Sequence, residues 1–115
     1  MAHYLIQASY TPQGWNALIK NPHNRLEALR PVVSRLGGTL DNGWLALGES
    51  DLLLLCDLPD TVSAAALSMA LSSGGALTKV KTTPLIGVED GLEAMRKASA
   101  TEYAPPSSEF PYFGA

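Results

Sequence analysis

The chain has 115 residues, of which 46% are apolar and 17% charged, and its formal net charge is −3. This length and composition indicate one globular domain with its own core. Its eight lysines and arginines are scattered, which argues against nucleic acid or an anionic membrane as a partner. The longest apolar run has five residues and is too short to span a bilayer.

The first part of the chain predicts a strand followed by two helices. Residues 2–10 alternate in polarity, as a strand with two different faces does. Its more polar face carries His3, Leu5, Gln7 and Ser9. Thr11-Pro12 is a helix-start signal, and Asn21-Pro22 is expected to end that short helix and to start a second one.

The second helix has a regular apolar stripe, which predicts that it packs on a sheet. The stripe consists of Leu26, Leu29, Val33 and Leu36. Pro31 removes a backbone hydrogen bond inside this helix and predicts a kink. Gly37-Gly38 predicts a left-handed cap at its end.

The middle of the chain predicts two strands joined by a tight loop. Residues 39–47 form the first of them, with a bulge or turn at 41–43, and residues 51–57 form the second. Alternation places Leu53 and Leu55 on one face and Leu52, Leu54 and Cys56 on the other. Both faces of this strand are apolar, so both must be covered.

Two helices and a strand are predicted in the last part of the chain. Asp60 or Thr61 caps a helix that is expected to pack through Val62, Ala65, Ala66, Met69 and Ala70. Residues 89–98 predict a final helix with Leu92 and Met95 directed inward.

Between these helices, residues 76–83 predict a fourth strand. Alternation groups Thr78, Val80 and Thr82 on one face and Leu77, Lys79 and Lys81 on the other. Exposed lysines are typical of an edge strand, where they discourage stray pairing.

The order strand, helix, strand, strand, helix, strand predicts an α+β fold, the ferredoxin-like βαββαβ antiparallel sheet with both helices on one face. The right-handed crossover rule places the first and third strands in the centre. The other face is then bare. We expect a second copy of the chain to cover it, as a homodimer in the form of a dimeric α/β barrel or as a higher homo-oligomer.

Several short motifs occur together in a characteristic order. They are Tyr10-Thr11-Pro12 with Gly14, Arg25-Leu26-Glu27-Ala28, Leu36-Gly37-Gly38, Gly48 with Asp51, and the threonine-rich run from Thr78 to Thr82. Over roughly residues 2–96 the chain thereby resembles the GYD family, small domains of the dimeric ferredoxin-like class. Ser50 stands where the family motif has tyrosine. The family is largely without an assigned reaction, so the resemblance implies a fold more than a function.

We divide the chain into a domain, residues 1–98, and a C-terminal tail, residues 99–115. The tail is rich in proline and serine but also carries four aromatic residues: Tyr103, Phe110, Tyr112 and Phe113. A disordered terminus is normally poor in aromatics. We therefore expect residues 110–113 to dock on a neighbouring subunit.

No strong catalytic or cofactor motif is present, because the sequence lacks GxGxxG, HExxH, CxxC and a nucleophile elbow. We therefore predict no cofactor and no metal site. Cys56, the single cysteine, is interpreted as a buried structural thiol, and His23 as a solvated residue near a helix start. No secretory signal is evident, so a cytoplasmic protein is expected.

The polar face of the first strand is the main candidate site. If Lys79 and Lys81 share the sheet face of His3, Gln7 and Ser9, these five polar groups could line a cavity inside the barrel. Such a cavity would suit a small acidic or carbonyl compound, with a lysine as charge partner and His3 as proton carrier. The alternative is that these residues lie at strand ends or at a subunit boundary.

The turn Gly48, Glu49, Ser50, Asp51 is a second candidate. Paired carboxylates can hold a cation or share a proton, whereas an aspartate in a turn commonly accepts backbone N–H groups of that turn. We favour the turn role for Asp51.

Two classes of function remain open from the sequence. One is an enzyme or binder of small molecules that works inside the dimeric barrel without a cofactor. The other is an assembly module whose role is oligomerisation. A partly polar cavity between the sheets would favour the first, and a barrel packed with leucine the second.

Overall fold

The computed structural model describes residues 1–107 of the chain, so the predicted docking of residues 110–113 lies outside the described residues. The chain divides into two units, Met1–Leu85 and a second that begins at Ile86. Within the described residues, no helix combines the length and the apolar character that crossing a membrane would require.

The first unit contains β1 (Ala2–Tyr10), α1 (Pro12–Lys20), α2 (Arg25–Arg35), β2 (Thr39–Leu45), β3 (Leu52–Leu58), α3 (Thr61–Ser73) and β4 (Leu77–Leu85). The second unit contains α4 (Val88–Ser99). The strands form one antiparallel sheet in the order β2-β3-β1-β4. This arrangement confirms the ferredoxin-like α+β prediction, with the first and third strands in the centre.

One face of the sheet and the helices of the first unit enclose an apolar core. Its buried side chains include Tyr4, Ile6, Ala8 and Tyr10 of β1, Leu52, Leu54, Cys56 and Leu58 of β3, Leu29 and Val33 of α2, and Leu67 of α3. The predicted stripe of α2 is therefore confirmed as its packing face. The left-handed cap is confirmed as well, because Gly37 has φ +82°.

The start of α2 corrects a prediction. Asn21 ends α1 as its C-cap, but α2 begins only at Arg25. Asn24 is the N-cap, and its Oδ1 accepts a hydrogen bond from the Leu26 N–H at 2.9 Å. Asn24 can satisfy a free helical N–H in this way, so the second helix starts there and residues 22–24 form a short connection.

The packing face of α3 is not the predicted one. Ala64, Leu67 and Leu71 are buried, whereas Val62 and Met69 are 77% and 71% exposed. The helix contains no charged residue, so both of its sides are apolar enough to be buried and periodicity cannot distinguish them.

The prediction that Leu92 and Met95 of α4 are directed inward is also wrong. This helix, which belongs to the second unit, has no buried residue in the part of the chain that the structure describes. Leu92 and Met95 are both exposed.

A bulge in β4 changes which of its residues share a face. The register with β1 shifts between Gln7 and Ser9, and Gln7 pairs with Lys81. Lys79 lies in this bulge with φ +53° and has no partner in the register. The predicted group of Leu77, Lys79 and Lys81 is therefore wrong, since Leu77 is buried in the core.

Candidate functional site

The face of the sheet opposite the core is called the open face here. Residues paired directly across antiparallel strands share a face, so the register defines its members. They include His3, Leu5, Gln7 and Ser9 of β1, Asn42 and Trp44 of β2, Leu53, Leu55 and Asp57 of β3, and Thr78, Lys81 and Thr83 of β4.

The open face is apolar on one side and polar on the other. An apolar strip runs from Trp44 through Leu53 and Leu55 to Leu5, and none of these four side chains is buried. The remaining part, on β1 and β4, is formed mainly by amide, hydroxyl and ammonium groups. The apolar part is complementary to an apolar surface, whereas the polar part is complementary to hydrogen-bonding groups.

The structure brings together part of the predicted site. Gln7 and Lys81 are direct cross-strand partners, and Ser9 follows Gln7 on the same face. His3 lies four residues from Gln7, or about 13 Å along the strand. Because the bulge removes Lys79 from the register, the cluster consists of Gln7, Ser9 and Lys81.

His3 has a partner that the sequence analysis missed. Its Nδ1 is hydrogen-bonded to Oδ1 of Asp57, the residue opposite it on β3. In the neutral ring this bond places the proton on Nδ1 and leaves the lone pair of Nε2 available. The pairing of β1 with β3 was the signal that could have revealed this contact.

Asp41 lies beside the same histidine. One possible ligand atom from each of His3, Asp41 and Asp57 lies within 4.8 Å of the others. These are donor types that a divalent cation accepts. Both His3 and Asp41 are exposed, so water solvates them equally well.

The β2–β3 turn is tied to the end of β1 by Asp51. Its Oδ2 accepts a hydrogen bond from the Tyr10 N–H at 2.9 Å, and its own N–H donates to the Ala8 carbonyl at 2.9 Å. The carboxylate thus binds the neighbouring strand rather than its own turn, which corrects the favoured interpretation. Gly48 and Glu49 are exposed in the turn.

A second region lies on the helix side of the sheet. A pocket of about 490 Å³, called the α1–α2 pocket here, is bordered by α1, the α1–α2 connection, the start of α2 and the end of β2. Its walls include Tyr10, Trp15, Leu18, Arg25, Trp44 and Leu45. No local pattern of the sequence shows that residues 15 and 44 border the same pocket.

Tyr10 is the most unusual polar group in this pocket. Its side chain is 8% exposed, and within the described residues its hydroxyl is buried without a hydrogen-bond partner. Burial raises the pKa of the Tyr10 phenol, Arg25 opposes the shift, and Asp51 adds to it. At neutral pH the phenol therefore carries its proton and is a free donor.

Cys56 is buried, as expected. Burial, followed by the nearby charges of Asp41 and Asp57, raises the pKa of its thiol to about 11. The thiol is therefore protonated at neutral pH, which agrees with a structural role and not with a nucleophile.

Comparison with known proteins identifies the family. No curated protein matches the chain significantly. The model of the GYD domain matches residues 4–95, from β1 into α4. This match covers most of the chain and includes the βαββαβ order described above. The chain therefore belongs to the GYD domain family.

Proposed function

We propose that this protein is a homo-oligomeric domain that binds a small acidic or carbonyl compound between two sheets. Two copies pair through their open faces and form a dimeric α/β barrel, with the ligand in its polar part. The observation that carries this proposal is the division of the open face into an apolar strip and a polar cluster.

The apolar strip supports pairing with a second copy. Leu5, Leu53, Leu55 and Trp44 leave apolar surface in water, and burying such surface contributes about 25 cal/mol per Å². A second copy presents the same strip about a two-fold axis, so the two strips cover each other. No helix of the first unit is available on this side, since the helices enclose the opposite face.

The polar cluster supports a ligand rather than a solid interface. Burying Gln7 and Lys81 without partners would cost several kcal/mol, because an amide and an ammonium group would lose water. The Ser9 hydroxyl already donates to the Glu49 carbonyl oxygen at 3.4 Å. A carboxylate or carbonyl compound supplies the missing acceptors: it pairs with the Lys81 ammonium and accepts from the Gln7 amide, beside Ser9. His3, oriented by Asp57, lies at one end of such a chamber as a proton carrier.

Sedimentation velocity at micromolar concentration tests the assembly. The wild-type chain should sediment as a dimer or larger. Leu53→Asp should give a folded monomer, because pairing would bury an unpaired charge at a cost of several kcal/mol. Leu47→Asp, at a fully exposed position of the β2–β3 loop, is the matched control and should assemble normally. A wild-type chain that stays a folded monomer would contradict the proposal.

Native mass spectrometry and thermal shift with a panel of small carboxylic acids and ketones test the ligand. A retained or stabilising acid should lose its effect in Lys81→Gln and keep it in Lys97→Gln, which removes the same charge from α4. A stable dimer that no compound stabilises would instead favour the assembly module, the alternative function.

A further inference from the structure

We propose that the α1–α2 pocket is a second binding site, for a small molecule with an aromatic body and a carboxylate. This second site is distinct from the one proposed above. The pocket lies on the helix side of the sheet, and its lining contains none of the open-face residues Gln7, Ser9 and Lys81.

The α1–α2 pocket begins next to the point where α1 packs most closely, since its lining residue Trp15 follows Gly14. A Cβ atom on Gly14 would overlap the carbonyl oxygen of Ala76, so only glycine permits this approach. Gly14 is the one buried residue of α1, and Trp15 and Ile19 stay exposed along the edge of the pocket. The pocket volume of about 490 Å³ lies within the usual range of small-molecule sites.

The walls favour a flat aromatic ligand. The rings of Tyr10 and Trp15 lie with centroids 4.8 Å apart and planes tilted by 53°. Trp44, which the register places on the open face, also borders the pocket at the edge strand β2, so it contacts this space from the sheet edge. Aromatic rings that are already partly exposed gain contact area with a planar ligand at little conformational cost.

Arg25 supplies a cation held in place at the pocket. The His23 Nδ1 lies 2.8 Å from the Asn21 carbonyl oxygen, which can only accept, so Nδ1 carries the proton. The His23 Nε2 therefore accepts from Arg25 Nη1 at 3.1 Å. Between residues 1 and 107 no carboxylate pairs with Arg25, and its position at the start of α2 adds the positive end of the helix dipole.

Tyr10 supplies the second polar contact. Its buried hydroxyl has no partner in the described chain, and a buried unpaired hydroxyl is unfavourable. Tyr10 and Arg25 both line the pocket, so we expect one bound carboxylate to accept hydrogen bonds from both side chains. The ligand thereby satisfies both the unpaired cation and the unpaired donor.

Two probes with the same aromatic body test the charge requirement: 1-naphthaleneacetate and its amide, 1-naphthaleneacetamide. Binding is measured by quenching of tryptophan fluorescence and by calorimetry. The acid should bind the wild-type chain roughly tenfold or more tightly than the amide, the difference expected for a charge-assisted hydrogen bond.

Arg25→Gln should remove the preference for the acid and change amide binding by about twofold at most. Arg35→Gln is the matched control, with the same charge change at the other end of α2, about 15 Å away. Tyr10→Phe should weaken naphthaleneacetate binding severalfold without lowering the melting temperature of the free protein, since its hydroxyl is unpaired there. Equal affinities of the acid and the amide, or identical effects of Arg25→Gln and Arg35→Gln, would overturn the proposal.

Discussion

The two faces of β3 carry similar side chains and meet different surroundings. Leu52, Leu54 and Cys56 lie against the helices and are buried, Leu54 to 1% exposure. Leu53 and Leu55, on the open face, stay partly exposed. What distinguishes the faces is therefore the cover and not the side chains, because the helices of the first unit cover only one of them.

The largest difference between the faces is expected from leucine truncation. Leu54→Ala should lower the free energy of unfolding by about 2 to 5 kcal/mol, because the core cannot fill the cavity. Leu55→Ala should cost much less in dilute protein, since its site is already partly open, and should weaken assembly instead. Urea unfolding at two protein concentrations measures both effects. Equal losses for the two variants in dilute protein would mean that the faces do not differ in this way.

The next largest effect is a loss of stability at high pH, caused by Cys56 on the covered face of β3. The pKa of the Cys56 thiol is raised from 9.0 to about 11, so the folded state holds this proton more strongly than the unfolded state. The resulting stability is fully present below pH 9 and is lost as the pH rises towards 11, by roughly 2 to 3 kcal/mol. The raised pKa of Tyr10 adds a further loss above pH 10.

Unfolding of the wild type and of Cys56→Ala from pH 8 to 11 isolates the thiol contribution, because the chain has no other cysteine. The difference in the free energy of unfolding between the wild type and Cys56→Ala should become smaller as the pH rises. If the free energies of unfolding of the two proteins change in parallel with pH, the pKa of the Cys56 thiol does not differ between the folded and unfolded states.

A smaller effect should come from the close approach of α1 to the residues before β4. Gly14→Ala introduces a methyl group against the Ala76 carbonyl and should cost about 1 to 3 kcal/mol. Gly74→Ala is the control, because nothing lies within 4 Å of its Cβ position and its φ of −81° suits alanine. Thermal unfolding compares the two, and a neutral Gly14→Ala would mean that α1 shifts at no cost.

Much of the fold could be predicted from local sequence. The threonine N-cap of α1, the aspartate N-cap of α3, the apolar stripe of α2 and the register shift after Leu40 each depend on residues within one or two turns of each other. With the order of the strands, these signals were enough for the ferredoxin-like arrangement. The open face also followed from sequence, through the leucines on both sides of β3.

The candidate sites depended on contacts that no local pattern contains. Alternation assigned Lys79 to the open face, but a single extra residue in β4 removed it from the register. The His3–Asp57 bond depends on the pairing of two strands that are 54 positions apart. Only Gln7, Ser9 and Lys81 were brought together as predicted.

The sequence by itself determined the order of the helices and strands and which strand is apolar on both faces, because capping and alternation act between near neighbours. Only the tertiary structure decided which side of α3 is buried and that residues 10, 15, 25 and 44 enclose a pocket. The rotation of a uniformly apolar helix is set by its fit to the sheet. The pocket likewise depends on the packing of α1, the start of α2 and the end of β2, which are separated along the chain.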